Sequence, residues 1–264
     1  TTHINRLFLN DMQAKKWATN SSEVLNVIPE QDRTQVFRVC KNDDIVMKTL
    51  GVKWFAQEDR FGIESKVNIP LKLTKRSFLS VVAQIFDQLG LVSPFVIRGK
   101  IILQEMWIAA VDWYDELPEM LEQKIRKWMM EITDLEDVRV DRCLIETKGK
   151  VELHTFFDAS SVAYGAVVFL RNVESKRVTL VASKAKVAPV QSVCIPRLEL
   201  MAACVGLKLA KEVVKALQLE FDIVTFWGDS LNVLCWIRQQ SRKFKPFVAN
   251  RLGTIQKHSK GKQW

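Results

Sequence analysis

The chain has 264 residues, about 48% of them hydrophobic, with 10 glycines and a formal net charge of +9. That composition is globular and excludes fibrous and disordered classes. The longest run without a charged residue is twelve, 159–170, well short of the ~20 apolar residues of a membrane-spanning helix, so no membrane partner is expected.

The charge is uneven. Residues 1–150 carry 22 Lys/Arg and 22 Asp/Glu, whereas residues 151–264 carry 17 and 8. After Asp229 come eight basic residues and no acidic one. Such asymmetry points to a polyanionic partner, with a solvated basic surface as the plain alternative. Cys40, Cys143, Cys194, Cys204 and Cys235 form no CxxC pair, and three histidines are too scattered for a zinc module. Cys204 and Cys235 lie in apolar helical runs and read as buried small hydrophobes. A reducing compartment, cytoplasmic or nuclear, is expected. The sequence starts Thr1-Thr2-His3 and reads as a piece of a longer polypeptide.

Residues 1–72 mix short apolar stretches with turn signals. Leu50 to Phe55 reads as a strand, Val67-Asn68-Ile69 as a partner near it, and Asn42-Asp43-Asp44 as a turn. Residues 73–148 read as helical. Phe78, Val81, Val82, Ile85 and Phe86 keep helical spacing, and Gly90 lies where a C-cap glycine belongs. Ser93-Pro94 places an N-cap before an N1 proline. Pro118-Glu119 opens a helix with Leu121, Ile125, Trp128 and Met129 on one face. Residues 131–141 read as an acidic linker, and Lys148-Gly149-Lys150 as a boundary.

Residues 151–264 change character. Val151, Leu153, Thr155 and Phe157 alternate with Glu152, His154, Phe156 and Asp158, a period-two strand. Strands follow at Tyr164 to Arg171 and Val178 to Ser183. A long helix is predicted from Pro196 to about Leu217, a buried strand from Ile223 to Trp227, and helices from Ser230 to Gln239 and from Phe244 to His258. The order implies an α/β layer: a three-stranded meander, then a fourth strand that arrives by a crossover.

Asp158 ends the first of these strands, Asp229 ends the fourth, and Glu199 lies in the first turn of the long helix, after Pro196, from where it reaches the two aspartates if that helix packs across the strand pair. Ligand crevices in α/β sheets lie outside the carboxyl ends of strands. If those two strands are adjacent and parallel, Asp158 and Asp229 emerge side by side. Ala202, Ala203, Gly206 and Ala210 follow Glu199 on one helical face and let the helix approach the sheet. Each acid also has a plain explanation: an Asx turn for Asp158, an N-cap for Asp229 or Ser230, and dipole complementation for Glu199. Together they form a hard-oxygen set that favours Mg²⁺ or Mn²⁺ over zinc. Two such ions clamp the attacking and leaving oxygens of a phosphodiester.

At these residues the chain resembles ribonuclease H. The phrases are Phe157-Asp158-Ala159-Ser160, Leu198-Glu199-Leu200-Met201-Ala202 and Gly228-Asp229-Ser230. The wider context is similar to polyproteins of BEL/Pao-type LTR retrotransposons. It rests on Thr74-Lys75-Arg76-Ser77-Phe78 through Ser93-Pro94, on Ile195-Pro196-Arg197-Leu198-Glu199-Leu200, and on Phe247-Val248-Ala249-Asn250-Arg251. This resemblance implies a ribonuclease H-like mixed sheet with flanking helices at 149–264. It implies a helical thumb and connection at 73–148, and a small α+β remnant of the reverse transcriptase palm at 1–72.

The resemblance further implies that Asp158, Glu199 and Asp229 are catalytic metal ligands holding two Mg²⁺ or Mn²⁺ ions, which cut the RNA strand of an RNA·DNA hybrid. The partners implied are that hybrid and the remaining polyprotein; the setting is the cytoplasm, the nucleus or virus-like particles. Asp43-Asp44 does not match the polymerase motif, so no polymerase activity is expected of this chain. The family's fourth carboxylate, in a segment resembling Asn-Pro-Ala-Asp, has no counterpart after Asp229, so the second ion would be weakly held and hydrolysis is expected of the full-length polyprotein more than of this chain alone. Arg238, Arg242, Lys243 and Lys245, interleaved with Trp236 and Phe244, are the expected phosphate contacts. His154 reads as a packed strand residue rather than a base. Trp17, Trp54, Trp107, Trp113 and Trp128 read as core or subdomain contacts rather than base-stacking platforms. The competing expectation is a non-catalytic nucleic-acid-binding remnant of a decayed or domesticated retroelement.

Overall fold

A computed structural model describes residues 15, 17–33, 38–39, 45–49, 51–145 and 149–264. Lys16, Cys40, the Asn42-Asp43-Asp44 turn, Leu50 and Lys148 lie outside the described residues.

Five short strands form an antiparallel sheet in chain order: β1 (Arg38–Val39), β2 (Ile45–Thr49), β3 (Val52–Phe55), β4 (Arg60–Ile63) and β5 (Val140–Asp141). Thr49 pairs with Val52, and Gly51 takes a φ of +80° between them, as a tight hairpin requires. Val67-Asn68-Ile69 does not pair with β3; the partner is β4, and the Asn68 N–H donates to Gln84 Oε1 at 2.8 Å. The 131–141 stretch is not a linker. Its acids are used in pairing: Glu131 with Arg98, and Asp141 with Arg60 and Arg177. Leu135 is buried, and Val140 pairs with Phe61.

After α1 (Ser22–Val27), three helices follow: α2 (Lys75–Gln84), α3 (Ser93–Ile108) and α4 (Glu119–Met130). Thr74 and Ser77 form a reciprocal capping box that starts α2. Trp128 fills their shared core. It stacks on Phe95 at 4.6 Å, meets Phe78 edge-on at 5.4 Å, and donates its indole N–H to the Phe95 carbonyl at 3.1 Å. Two expectations need correction. Ser93 does not cap α3 with its side chain; the Asp87 carboxylate instead accepts from the Leu91 and Val92 N–H groups. Gly90 is not the C-cap of α2, which ends at Gln84.

The second sheet contains β6 (Val151–Ala159), β7 (Ala163–Asn172), β8 (Val178–Val187) and β9 (Ile223–Trp227), in the order β8-β7-β6-β9. The first three are antiparallel neighbours and β9 is parallel to β6. The crossover is α5 (Ile195–Leu217). Ala202, Ala203 and Ala210 are buried, and a Cβ on Gly206 would meet Thr155 Cγ2 at 3.0 Å. Small residues thus set the helix-to-sheet distance. β9 is an edge strand rather than a buried one, with Ile223 and Trp227 exposed.

The helical segment covers the other edge, where β8 would otherwise present unpaired backbone groups. The Ser183 N–H donates to the Leu89 carbonyl at 2.8 Å, Ser183 Oγ donates to the Gly90 carbonyl at 2.5 Å, and Gln104 donates to the Ala188 carbonyl at 2.7 Å. The chain then forms α6 (Leu231–Ile237), capped by Ser230, and α7 (Pro246–His258). Trp264 stacks on Phe226 at 4.3 Å. Cys204 is half-buried, and burial pushes its thiol up to about 11. Cys235 is exposed, contrary to its apolar sequence setting. Among the described residues no helix is long and apolar enough to cross a membrane.

Candidate functional site

The parallel pairing of β6 and β9 ends at Phe156 opposite Trp227. Two residues further on, Asp158 and Asp229 therefore emerge at the same level of adjacent strands. Both are exposed, and both line one cavity of about 660 Å³. Phe156 and Trp227 form its apolar wall, and Ser93 and Pro94 of α3 contribute from the helical segment.

Local sequence produces this placement. Alternation along β6 turns Phe157 into the core and sends Phe156 and Asp158 to the opposite face. Ser160 N–H donates to the Ala163 carbonyl at 2.8 Å, closing a tight turn just after Asp158. Gly228 lies directly against Phe157, where a Cβ would meet the ring at 2.3 Å. Only glycine lets β9 end so close to that ring. Ser230 Oγ accepts from the Val233 N–H, so Ser230, not Asp229, caps α6. The Asp229 carboxylate has no hydrogen bond or ion pair among the described residues.

Asp158 Oδ1 accepts from the Ala159 N–H at 2.7 Å and is otherwise open. No cation of the chain pairs with either carboxylate among the described residues. Adjacent anions without a counter-charge are the donor set that hard divalent ions satisfy.

Glu199 is half-buried between buried Leu198 and Leu200 in the second turn of α5, so the first turn holds no acid. It does not line the cavity of the two aspartates. Among the described residues, no three His, Cys, Asp or Glu side chains are grouped to hold a metal ion. The structure therefore brings Asp158 and Asp229 together and leaves Glu199 apart.

His154 is engaged elsewhere. Its Nδ1 accepts from the Trp227 indole N–H at 3.1 Å, which leaves the proton on Nε2, facing Glu152 Oε2 at 3.1 Å. Arg171 donates to the same Glu152 oxygen at 2.7 Å. The Arg171 guanidinium, followed by His154, holds the Glu152 carboxyl below the usual carboxylate range. A carboxyl lowered on folding stabilises the fold above its unfolded value of about 4.3 and loses that contribution as pH falls through the lower folded value. Thermal melts between pH 7 and pH 3 should therefore show Glu152→Gln losing less stability than the parent chain. Parallel profiles would refute the assignment.

The four expected phosphate contacts, Arg238, Arg242, Lys243 and Lys245, are all exposed and make no ion pair among the described residues. Trp236 and Phe244 lie 6.1 Å apart among them. The aromatic wall was not anticipated. Its signal was present: Phe156 and Trp227 each stand two residues before an aspartate, on the nominally polar face of their strands. Their rings stack at 6.1 Å and 15°.

An antiparallel meander, a helical crossover and a parallel fourth strand, with acids at the carboxyl ends of the parallel neighbours β6 and β9, define a ribonuclease H-like α/β fold. The chain belongs to the Pao retrotransposon-like RNaseH-like domain family, whose model matches residues 74–230. The matched stretch takes in both α2–α4 and the second sheet through Ser230.

Two solved structures are similar. One is the foamy viral protease-reverse transcriptase dRH in complex with double-stranded DNA, at TM-score 0.43 and 12% identity, covering 81% of this chain and 36% of that one. The other is the foamy viral protease-reverse transcriptase in complex with double-stranded DNA, at TM-score 0.39 and 11% identity, covering 72% of this chain and 38% of that one. The chain thus spans little more than a third of either. No curated protein matches it.

Proposed function

We propose that this chain is the segment of a retroelement reverse transcriptase that hydrolyses the RNA strand of an RNA·DNA hybrid. The observation that carries the reading is the placement of Asp158 and Asp229 at one level of adjacent parallel strands, with no cation paired to either among the described residues. That pair fits Mg²⁺ or Mn²⁺, and Glu199, which lies outside the cavity of the pair, would have to move toward it to serve as the third donor. When bound, two such ions supply activation of the attacking water and charge stabilisation of the leaving 3′ oxygen. The chain's own part is to hold the carboxylates on a rigid sheet end, to grip phosphates with its basic C-terminal segment, and to shield one side with Phe156 and Trp227. Residues 149–264 would form the hydrolytic unit, 73–148 the thumb and connection, and 1–72 the end of the palm, the rest of the polyprotein being a partner.

A second reading is binding without cleavage, which the separation of Glu199 from the two aspartates favours. Mn²⁺ binding followed by electron paramagnetic resonance, alongside cleavage of a hybrid labelled on its RNA strand, separates the two. The hydrolytic reading expects Mn²⁺ uptake and EDTA-sensitive cutting of the RNA strand only. Hybrid binding with neither Mn²⁺ uptake nor cutting would establish the second reading instead.

A further inference from the structure

Two of the motif phrases retain a residue without a role: Ile195-Pro196-Arg197-Leu198-Glu199-Leu200 and Phe247-Val248-Ala249-Asn250-Arg251. The fold brings them together. Phe247 lies in the first turn of α7 and Arg197 in the first turn of α5. The Arg251 guanidinium carbon sits 3.6 Å from the centre of the Phe247 ring, and that of Arg197 sits 5.2 Å from the same centre. Arg251 also donates from Nη1 to the Phe247 carbonyl at 2.9 Å, which fixes the side chain across its own helix.

This arrangement is costly by itself. Two like charges share one phenyl ring, and no carboxylate pairs with either among the described residues. Arg197 further opposes the dipole of α5, since the first turn of a helix favours anions. Neither α5 nor α7 has an acidic residue in its first turn. An anion bound between the two guanidinium groups would relieve all of these costs.

Its position is set by packing: α7 lies against α5, so the first turns of the two helices bring Arg197 and Phe247 together.

We propose that Arg197, Phe247 and Arg251 form a phosphate clamp that holds the nucleic-acid backbone where the first turns of α5 and α7 meet. The clamp rests on the reading of the chain as a nucleic-acid-processing segment, but not on the metal assignment. Arg forks bind phosphate through two parallel N–H bonds, and the ring keeps both guanidinium groups oriented, with Arg251 Nη1 already committed in part to the Phe247 carbonyl. Contacts of this kind position a backbone without selecting sequence.

The test is fluorescence anisotropy of the full chain with a labelled RNA·DNA hybrid, in EDTA, over ~50–200 mM salt. Arg197→Gln and Arg251→Gln should each weaken binding about tenfold. Each should also reduce the slope of log affinity against log salt by about 0.9 for every phosphate that is no longer neutralised. Arg251→Lys should keep the slope and lose part of the affinity, because lysine keeps the charge without the fork. An unchanged slope in both Gln variants overturns the clamp, whatever the cleavage assay shows. A reduced slope in a chain that takes up no Mn²⁺ leaves the clamp standing and removes the hydrolytic reading. Arg197 is exposed, so its variant decides the matter if Arg251→Gln lowers the melting temperature.

Discussion

Asp158→Asn is expected to lower cleavage of the RNA strand by on the order of 10²–10³-fold while leaving hybrid binding intact, and Asp229→Asn should do the same. The substitution keeps shape and replaces an anionic oxygen ligand with a neutral amide. Loss of one hard donor from a divalent site removes several kcal/mol of transition-state charge stabilisation, and each 1.36 kcal/mol is tenfold in rate. The two aspartates act as a unit, so the double variant should be scarcely worse than either single one.

Binding behaves in the opposite sense. Without divalent ions an exposed carboxylate repels phosphates, so in EDTA each Asn variant should bind the hybrid as well as the parent chain or slightly better. The melting temperature should hold or rise, because one of two adjacent like charges has been removed. Single-turnover cleavage, EDTA anisotropy and thermal melting read these three signs separately. Unimpaired cleavage in Asp158→Asn would remove that residue from the chemistry, and a collapsed fold would make it structural.

The aspartate pair was legible because it depends on only two properties of the sequence. Strict alternation in Val151–Ala159 fixed which side chains share a face, and the crossover order made β9 a parallel neighbour of β6. The small residues of α5 were legible for a similar reason, since a helix carrying Ala202, Ala203, Gly206 and Ala210 on one face has little use for them except close packing. Features set by contacts distant in sequence were not legible. The partner of β4 is β5, about eighty residues later, and it hides within an acidic stretch whose charges find arginines only in three dimensions. Glu199 lies on the expected helix, but α5 begins at Ile195, one residue before Pro196, which puts Glu199 in the second turn, outside the cavity of the two aspartates. Arg197 and Phe247 are separated by fifty residues, and nothing local marks them as neighbours.

Gly90 illustrates the same limit with the largest expected effect on stability. Its position after an apolar helical run reads as a helix terminator, but α2 has already ended at Gln84. The residue adopts a φ of +75°, and a Cβ there would lie 2.0 Å from the Ser183 carbonyl oxygen and 2.6 Å from its carbon. Both obstacles are backbone atoms of the β8 edge, so neither can rotate away. Left-handed backbone costs a non-glycine residue roughly 1–2 kcal/mol, and overpacking typically adds 1–3 kcal/mol. Gly90→Ala should therefore destabilise by about 2–5 kcal/mol, a fall of roughly 5–15 °C in melting temperature for a chain of this size. The strain has one outlet, which is to separate the α2–α3 connection from the sheet. That movement breaks the Ser183 bonds to Leu89 and Gly90 and withdraws Ser93 and Pro94 from the aspartate cavity. Amide exchange should consequently quicken at Ser183 before it does in the Trp128 core. Gly253→Ala is the control: nothing lies within 4 Å of a Cβ there, and inside α7 alanine should stabilise by up to about 1 kcal/mol. Equal melting temperatures for Gly90→Ala and the parent chain would show that the helical segment does not dock on β8 through this contact.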